Sequence, residues 1–464
     1  MNLTFRRAAP FLIAIAIWFT PVPAGLTAQS WHLFAVFVAA IASVLLGSFP
    51  LLTAAMMAVG TVVLTRTITP AQAFSGFANT SVLLVVIAFI VAQAVVKSGL
   101  GRRISLFMVS RFGGSSLGLA YSIVLTDAAI APAFPSNTAR GGVLFPIVLS
   151  VAKGAGSNPD GTEGRRLGGY LMFCGMASLA LSSALWLTAT SGNPIAVQVA
   201  EKSGVQIGFS TWIAASCVPA LTAILLLPLL VAKLFPPGVG KTPEAPKAAR
   251  AELATMGRMS RDERLTAFIF LLMVAGWIFA DVLKMNVTSV AFMGLGVLLV
   301  TSVITLDDIA KMGDTLATFL WLAVLFALSG QLNELGFMSY AGERLAAGLG
   351  NMSWPVMYVT LVALYVFIHY LFVSQSSQVL ALFGVFLDVG IRGGVPAPLM
   401  AFALLFASSY FSVITPQGGS QNIIFAASGY LTQRELYKLG FFTTLAFLAV
   451  FLLVGTPWVL FVTR

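Results

Sequence analysis

Pro135-Ser136-Asn137-Thr138-Ala139-Arg140 is a polar stretch ending on a full charge in the middle of strongly apolar sequence, and Ser374-Gln375-Ser376 echoes it in the second half of the chain. At membrane depth such groups are expensive and mark functional sites. Two of them at matching places suggest an internally duplicated membrane protein that builds one central site from both halves, as many secondary transporters do. The pattern points to movement of a small polar solute.

Composition supports this reading. The 464 residues are 58% hydrophobic and 9% charged, where soluble domains average about 25% charged, and the mean hydropathy is +0.95. An ordinary soluble domain is excluded. Apolar runs recur at about 17 to 20 residues, the length of a membrane-spanning helix, and not as the alternating segments of roughly 10 residues that build outer-membrane barrels. The expected fold class is therefore an all-α polytopic membrane protein.

Spans are expected near 8–24, 31–47, 49–65, 82–97, 166–188 and 212–235, then near 265–281, 287–303, 317–333, 398–413 and 441–461. The broken stretches 117–150 and 355–390 read as re-entrant hairpins. This gives about eleven transmembrane helices plus two hairpins, arranged as an N-terminal helix and first loop (1–30), a first repeat (31–235), a linker (236–264) and a second repeat (265–464). Five crossings per repeat turn the second copy upside down, so both hairpin tips approach the midplane.

Charge distribution sets the orientation. With a cytoplasmic N-terminus, only Arg66, Lys202, Lys284, Arg344, Arg392 and Arg464 of the 26 Lys and Arg lie outside, and Arg140 lies in a hairpin. The positive-inside rule favours that arrangement. The net charge of +10 thus reflects topology and not a nucleic-acid surface. Arg6-Arg7 followed by an apolar run also fits a signal peptide, but losing this segment changes the parity, so it is assigned as the first transmembrane helix. The linker is polar and rich in Pro and Ala, and its Gly238-Val239-Gly240-Lys241-Thr242 lacks the spacing of a phosphate-binding loop. Cys174 and Cys217 sit apart in apolar runs, arguing against a disulfide framework or metal site. No cofactor is expected. With no HExxH, GxSxG or paired carboxylates in a span, neither is an enzyme.

The chemistry of the tips follows from backbone geometry. Hairpin tips and broken helices present helix ends whose N–H groups lack partners and carry partial positive charge, and anions bind there. Breaks are expected at Thr190-Ser191-Gly192-Asn193-Pro194 and Thr415-Pro416-Gln417-Gly418-Gly419, which are aligned Thr190 to Thr415. Candidate binding residues are Ser136, Asn137, Thr138 and Arg140, Ser374, Gln375 and Ser376, and Thr190, Gly192, Asn193, Thr415, Gln417 and Gly418. Arg140 adds a full charge near the first tip, or else caps its helix or snorkels. Asp127 is expected to pair with Arg140, and His369 to be a hydrogen-bonded packing residue. Carbonyls at Gly192 and Gly418 are alternative sodium ligands.

In order along the chain, Trp31-His32-Leu33-Phe34-Ala35, Phe74-Ser75-Gly76-Phe77-Ala78-Asn79, Gly99-Leu100-Gly101-Arg102-Arg103-Ile104, the first tip, and His369-Tyr370-Leu371-Phe372 resemble the divalent anion/sodium symporter family. They are most similar to its branch of plastid 2-oxoglutarate/malate translocators and bacterial citrate/succinate and tartrate/succinate exchangers. The resemblance implies a homodimer whose protomers each have a scaffold and a mobile domain that moves like an elevator. It also implies di- and tricarboxylate substrates held by Ser136, Asn137, Thr138, Ser374, Gln375 and Ser376.

The second tip departs from the family's second Ser-Asn-Thr, and Thr415-Pro416-Gln417-Gly418 departs from Thr-Pro-Pro-Asn. Together with Arg140, these differences favour a sodium-independent exchanger of C4 to C5 dicarboxylates, and the short N-terminus, without the features of a plastid transit peptide, leads to the expectation of a bacterial inner membrane. The alternative is a sodium-coupled symporter with sodium near Ser136, Asn137 and Gly192.

Overall fold

The computed structural model describes residues 3–159, 164–349, 352–372 and 374–464. They form an all-α polytopic membrane protein with no β-strand among the described residues. Nine helices among them are long and apolar enough to cross a membrane. Two shorter apolar helices, Leu51–Leu64 and Val287–Val300, occupy corresponding places in the two halves.

Each expected span falls on a helix. The largest displacement is at the start, where the span expected at 8–24 is the helix Leu3–Phe19. Pro21 and Pro23 follow it closely, and a proline removes a backbone donor and disfavours helix in the residue before it.

The hairpin stretches are helix pairs around a polar turn. Ser116–Ile130 continues as a short 3-10 turn to Ala133, and Asn137–Gly154 follows after the tip. In the second half Trp354–Phe367 and its 3-10 extension to Leu371 lead to Gln375–Gln378. That helix runs through a π-helical turn at Val379–Phe383 into Gly384–Arg392. A π-turn here accommodates one extra residue beside the tip, as such turns often do at functional sites.

The linker is more structured than its composition suggests. Within it Glu244–Met256 is a helix that packs along Leu100–Phe112 through Ala245 and Ala249, both buried. Arg103 Nε lies 2.6 Å from Glu263 Oε1, and its Nη1 donates to Gly257 O at 3.0 Å. Arg250 donates to Ser110 O at 3.2 Å, and Arg102 pairs with Glu252. The small-residue stripe Ala245/Ala249 is the signal of helix packing that a reading by polarity passes over.

At the centre, Arg165–Leu185 is buried at every residue from Leu167 onward. It packs against Ala397–Tyr410, which is buried from Leu399 to its end except at Ala403. Both end in a 3-10 turn before a short helix, Gly192–Lys202 in one half and Ser420–Ala426 in the other. These are the two broken helices.

Candidate functional site

The two tips meet. Ser136 and Ser374 have extended backbones and cap the helices that follow, with Ser136 Oγ accepting from Ala139 N at 3.2 Å and Ser374 Oγ from Ser377 N at 3.4 Å. Serine is favoured at this position because its oxygen satisfies a free N–H of the first turn. Capping places the next residue of each tip face to face, and Asn137 Nδ2 donates to Gln375 Oε1 at 3.0 Å across 238 residues of sequence. Gln375 Nε2 is anchored to Ser408 O and Ser409 O at 3.2 and 3.0 Å.

Beside this bridge lies a polar cavity of about 90 Å³. Ser136, Asn137 and Thr138 line it from the first tip, and Ser374, Gln375 and Ser376 from the second. The broken helices contribute Thr190 and Ser191 in one half, and Gly419, Ser420 and Gln421 in the other. Ser191 Oγ and Ser376 Oγ are 3.2 Å apart. Four helices begin at this cavity, at Asn137, Gln375, Gly192 and Ser420. No charged side chain is among its described lining residues.

Arg140 stands behind the tip and not in the cavity. It is fully buried, with Nε 2.9 Å from Asp127 Oδ1, as the sequence reading of Asp127 anticipates. Its Nη2 donates to Asn137 Oδ1 at 2.7 Å, Leu179 O at 2.6 Å and Ser183 Oγ at 2.9 Å. Ser183 Oγ also donates to Asn137 Oδ1 at 2.7 Å, and Ser182 Oγ to Asp127 Oδ2 at 2.6 Å. Buried charges persist when paired and hydrogen-bonded. Here the pair fixes the Asn137 amide, turning its NH2 toward Gln375.

The second break sits one turn later than the sequence alignment places it. Asn193 Nδ2 donates to the carbonyls of Ser183 and Trp186, ten and seven residues back. Asn422 Nδ2 donates to Ser412 O and Thr415 O at the same two separations. This equates Asn193 with Asn422, and so Trp186 with Thr415 and Thr190 with Gly419.

Thr415, Gln417 and Gly418 therefore stand off the cavity. Gly418 O is 2.7 Å from His369 Nε2, and Gln417 Oε1 accepts from Tyr437 at 3.0 Å. Gly192 is buried, and a side chain there would meet Val379 and Ser376. Asn193 faces the chain break and not the cavity. Ser191, Gly419, Ser420 and Gln421 take the places the sequence reading gave to others. Their signal is the pair Ser191-x-Asn193 and Ser420-x-Asn422. His369 bridges hairpin and break, with Nδ1 2.7 Å from Gln378 Oε1 and its ring stacked on Phe411.

The model of the sodium:sulfate symporter transmembrane region matches residues 2–463, and the chain belongs to that family of membrane transporters. Dicarboxylate transporter 2, chloroplastic, of Spinacia oleracea is 36% identical over 462 residues, covering 97% of this chain and 82% of its own. Dicarboxylate transporter 1, chloroplastic, of Arabidopsis thaliana is 37% identical, with 97% and 82% covered. The citrate/succinate antiporter of Escherichia coli (strain K12) is 31% identical, with 98% and 97% covered. The crystal structure of the Alcanivorax borkumensis YdaH transporter, described as having an unusual topology, shares the fold. Its TM-score is 0.57 at 16% identity, with 88% of this chain and 89% of that one covered.

Proposed function

We propose that this chain exchanges C4 to C5 dicarboxylates across a membrane without sodium, binding each dianion between the two tips and the two broken helices. The observation that carries the reading is the convergence of four helix starts on a cavity lined by hydroxyls and amides with no charged side chain among its described lining residues. A helix N-terminus is equivalent to roughly +0.5 charge, so four amount to roughly +2, which matches a dicarboxylate. Emptied, the site leaves four like dipole ends facing one another. Crossing without an anion is then disfavoured, and that favours exchange over net uptake. The names of the chloroplastic relatives give dicarboxylates as substrates, and of the two substrates named for the Escherichia coli antiporter succinate is of this class while citrate is a tricarboxylate.

In this reading the tips and broken helices move together against the outer helices as an elevator, the halves are inverted repeats, and the protein is a homodimer with its N-terminus in the cytoplasm of a bacterial cell. Arg140 and Asp127 act through Asn137, holding its amide.

A second reading, sodium-coupled uptake, is favoured by one observation. Asn193 Oδ1 and Asn422 Oδ1 are buried without a hydrogen-bond partner at equivalent places beside the two breaks, and oxygens of this kind suit a hard cation.

Uptake of labelled malate or 2-oxoglutarate into proteoliposomes separates the two, comparing malate-loaded with empty vesicles, each with and without a sodium gradient. Exchange requires internal malate and ignores sodium. Sodium-driven uptake into empty vesicles overturns the exchanger reading in favour of the second.

A further inference from the structure

The second half carries an open groove whose counterpart in the first half is flanked by an additional helix. Between Arg261–Ile278 and Val287–Val300 runs an apolar groove of about 560 Å³, lined by Leu265, Phe268 and Leu272 on one side and Val290, Met293 and Val297 on the other. The left-handed residues Arg66 and Ser302 and the capping boxes at Thr69 and Thr305 bring the halves into register. Counting back from them, Ala54, Met57 and Thr61 stand where Val290, Met293 and Val297 stand. In the first half helix 3–19 packs on Ala28–Leu45 and walls the equivalent seat, leaving a cavity of about 430 Å³ lined by Phe11 and Trp18 opposite Met57 and Thr61, and Trp18 stacks on His32 at 4.0 Å. The counterpart of His32 is Phe268, which is 61% exposed.

Arg261 and Arg264 continue the stripe Leu265, Phe268, Leu272 at three- and four-residue steps, which places them on the groove's face. Both are exposed, and neither has an ion-pair partner among the described residues, since the neighbouring Glu263 is held by Arg103. From Leu265 to Gly276 the groove is about 16 Å long, roughly one leaflet of a 30 Å hydrocarbon core. A second copy whose two-fold axis runs through the groove presents the same concave surface and does not fill it.

We propose that this groove binds an acyl chain of an anionic phospholipid whose phosphodiester is held by Arg261 and Arg264. Guanidinium groups suit phosphate oxygens, and basic residues at the membrane surface attract anionic lipid.

The test is native mass spectrometry of the full-length protein in detergent with phosphatidylglycerol or phosphatidylcholine of matched chains. The wild type is expected to bind phosphatidylglycerol on the order of tenfold to thirtyfold more tightly, the scale of two surface arginines. The double variant Arg261→Gln/Arg264→Gln should lose that preference while keeping its gel-filtration profile. Met293→Trp, which fills the groove, should lose both lipids. Equal binding of the two lipids by the wild type overturns the proposal and makes the groove a place for bulk lipid. So does a preference that survives the double variant. Disulfide cross-linking of Met293→Cys between protomers in membranes, in a Cys217→Ser background, overturns it in favour of a protein interface.

Discussion

At the scale of single residues, the charge nearest the site is part of its support. Asp127→Asn leaves the Arg140 guanidinium uncompensated at a fully buried position, which should destabilise the protein by about 3–5 kcal/mol, read as a lowered unfolding midpoint in detergent. Replacing both partners with apolar residues, as in Asp127→Leu/Arg140→Met, should recover most of that stability but not transport, because the Asn137 amide then loses its anchor. Arg140→Gln should therefore impair monoanion and dianion transport equally. A selective loss for dianions in competition assays would identify Arg140 as a direct ligand. Asn137→Ala removes the bridge to Gln375 and is expected to lower uptake at least about tenfold, at a stability cost of about 1–3 kcal/mol for the buried groups it unpairs. The tip residues were legible from sequence because a polar run in apolar sequence stands out. The inward-facing role of Arg140 was not, since its partners Leu179 and Ser183 lie on another helix.

At the scale of elements, boundaries were legible wherever hydropathy changes and obscure wherever packing decides. Helices at all eleven expected places could be located by apolar length, although two of the nine described helices long and apolar enough to cross, Ser116–Ala133 and Trp354–Leu371, fall in the stretches read as hairpins, and helix 244–256 is polar along most of its surface and shows only a stripe of alanines. Arg103→Ala should release it, and limited proteolysis should then cut within 236–264 where the wild type resists. The second break was misplaced because Thr415-Pro416 looks like the counterpart of Thr190-Ser191, whereas the amide clamp of Asn422 fixes the register. A close approach holds that segment in place. A side chain at Gly440 would lie 2.4 Å from Val413 O and 2.9 Å from Ile414 O, so helix 433–450 has room there for none. Gly440→Ala should displace the turn 411–414, costing about 1–3 kcal/mol as overpacking does, and the displacement should raise the half-saturating substrate concentration.

At the scale of the whole molecule, the same backbone devices recur in the same order. Arg66 and Ser302 are both left-handed, as are Gly99 and Gly336, and Gly156 and Gly394. The halves interlock, since helix 420–426 packs on the first hairpin's helix 137–154 and helix 192–202 packs on the second hairpin's turn 379–383. From sequence the correspondence of the halves showed in the tips and, one turn out of register, in the breaks, because only polar runs stand out against uniformly apolar helices. Equivalence carries a measurable expectation. Asn193→Ala and Asn422→Ala each unclamp two carbonyls and should lower the unfolding midpoint by similar amounts, each about 1–3 kcal/mol; a difference well beyond that scatter would show that the breaks are not alike. The cavity itself is made of hydroxyls, amides and peptide N–H groups, none of which gains or loses a proton between pH 5 and 8. Across that range its attraction for an anion is constant. With the proposed site, acidity is then sensed by the cargo alone, through the fraction of dicarboxylate that carries both charges, and the carrier becomes a reporter of its substrate's ionisation and not of its own.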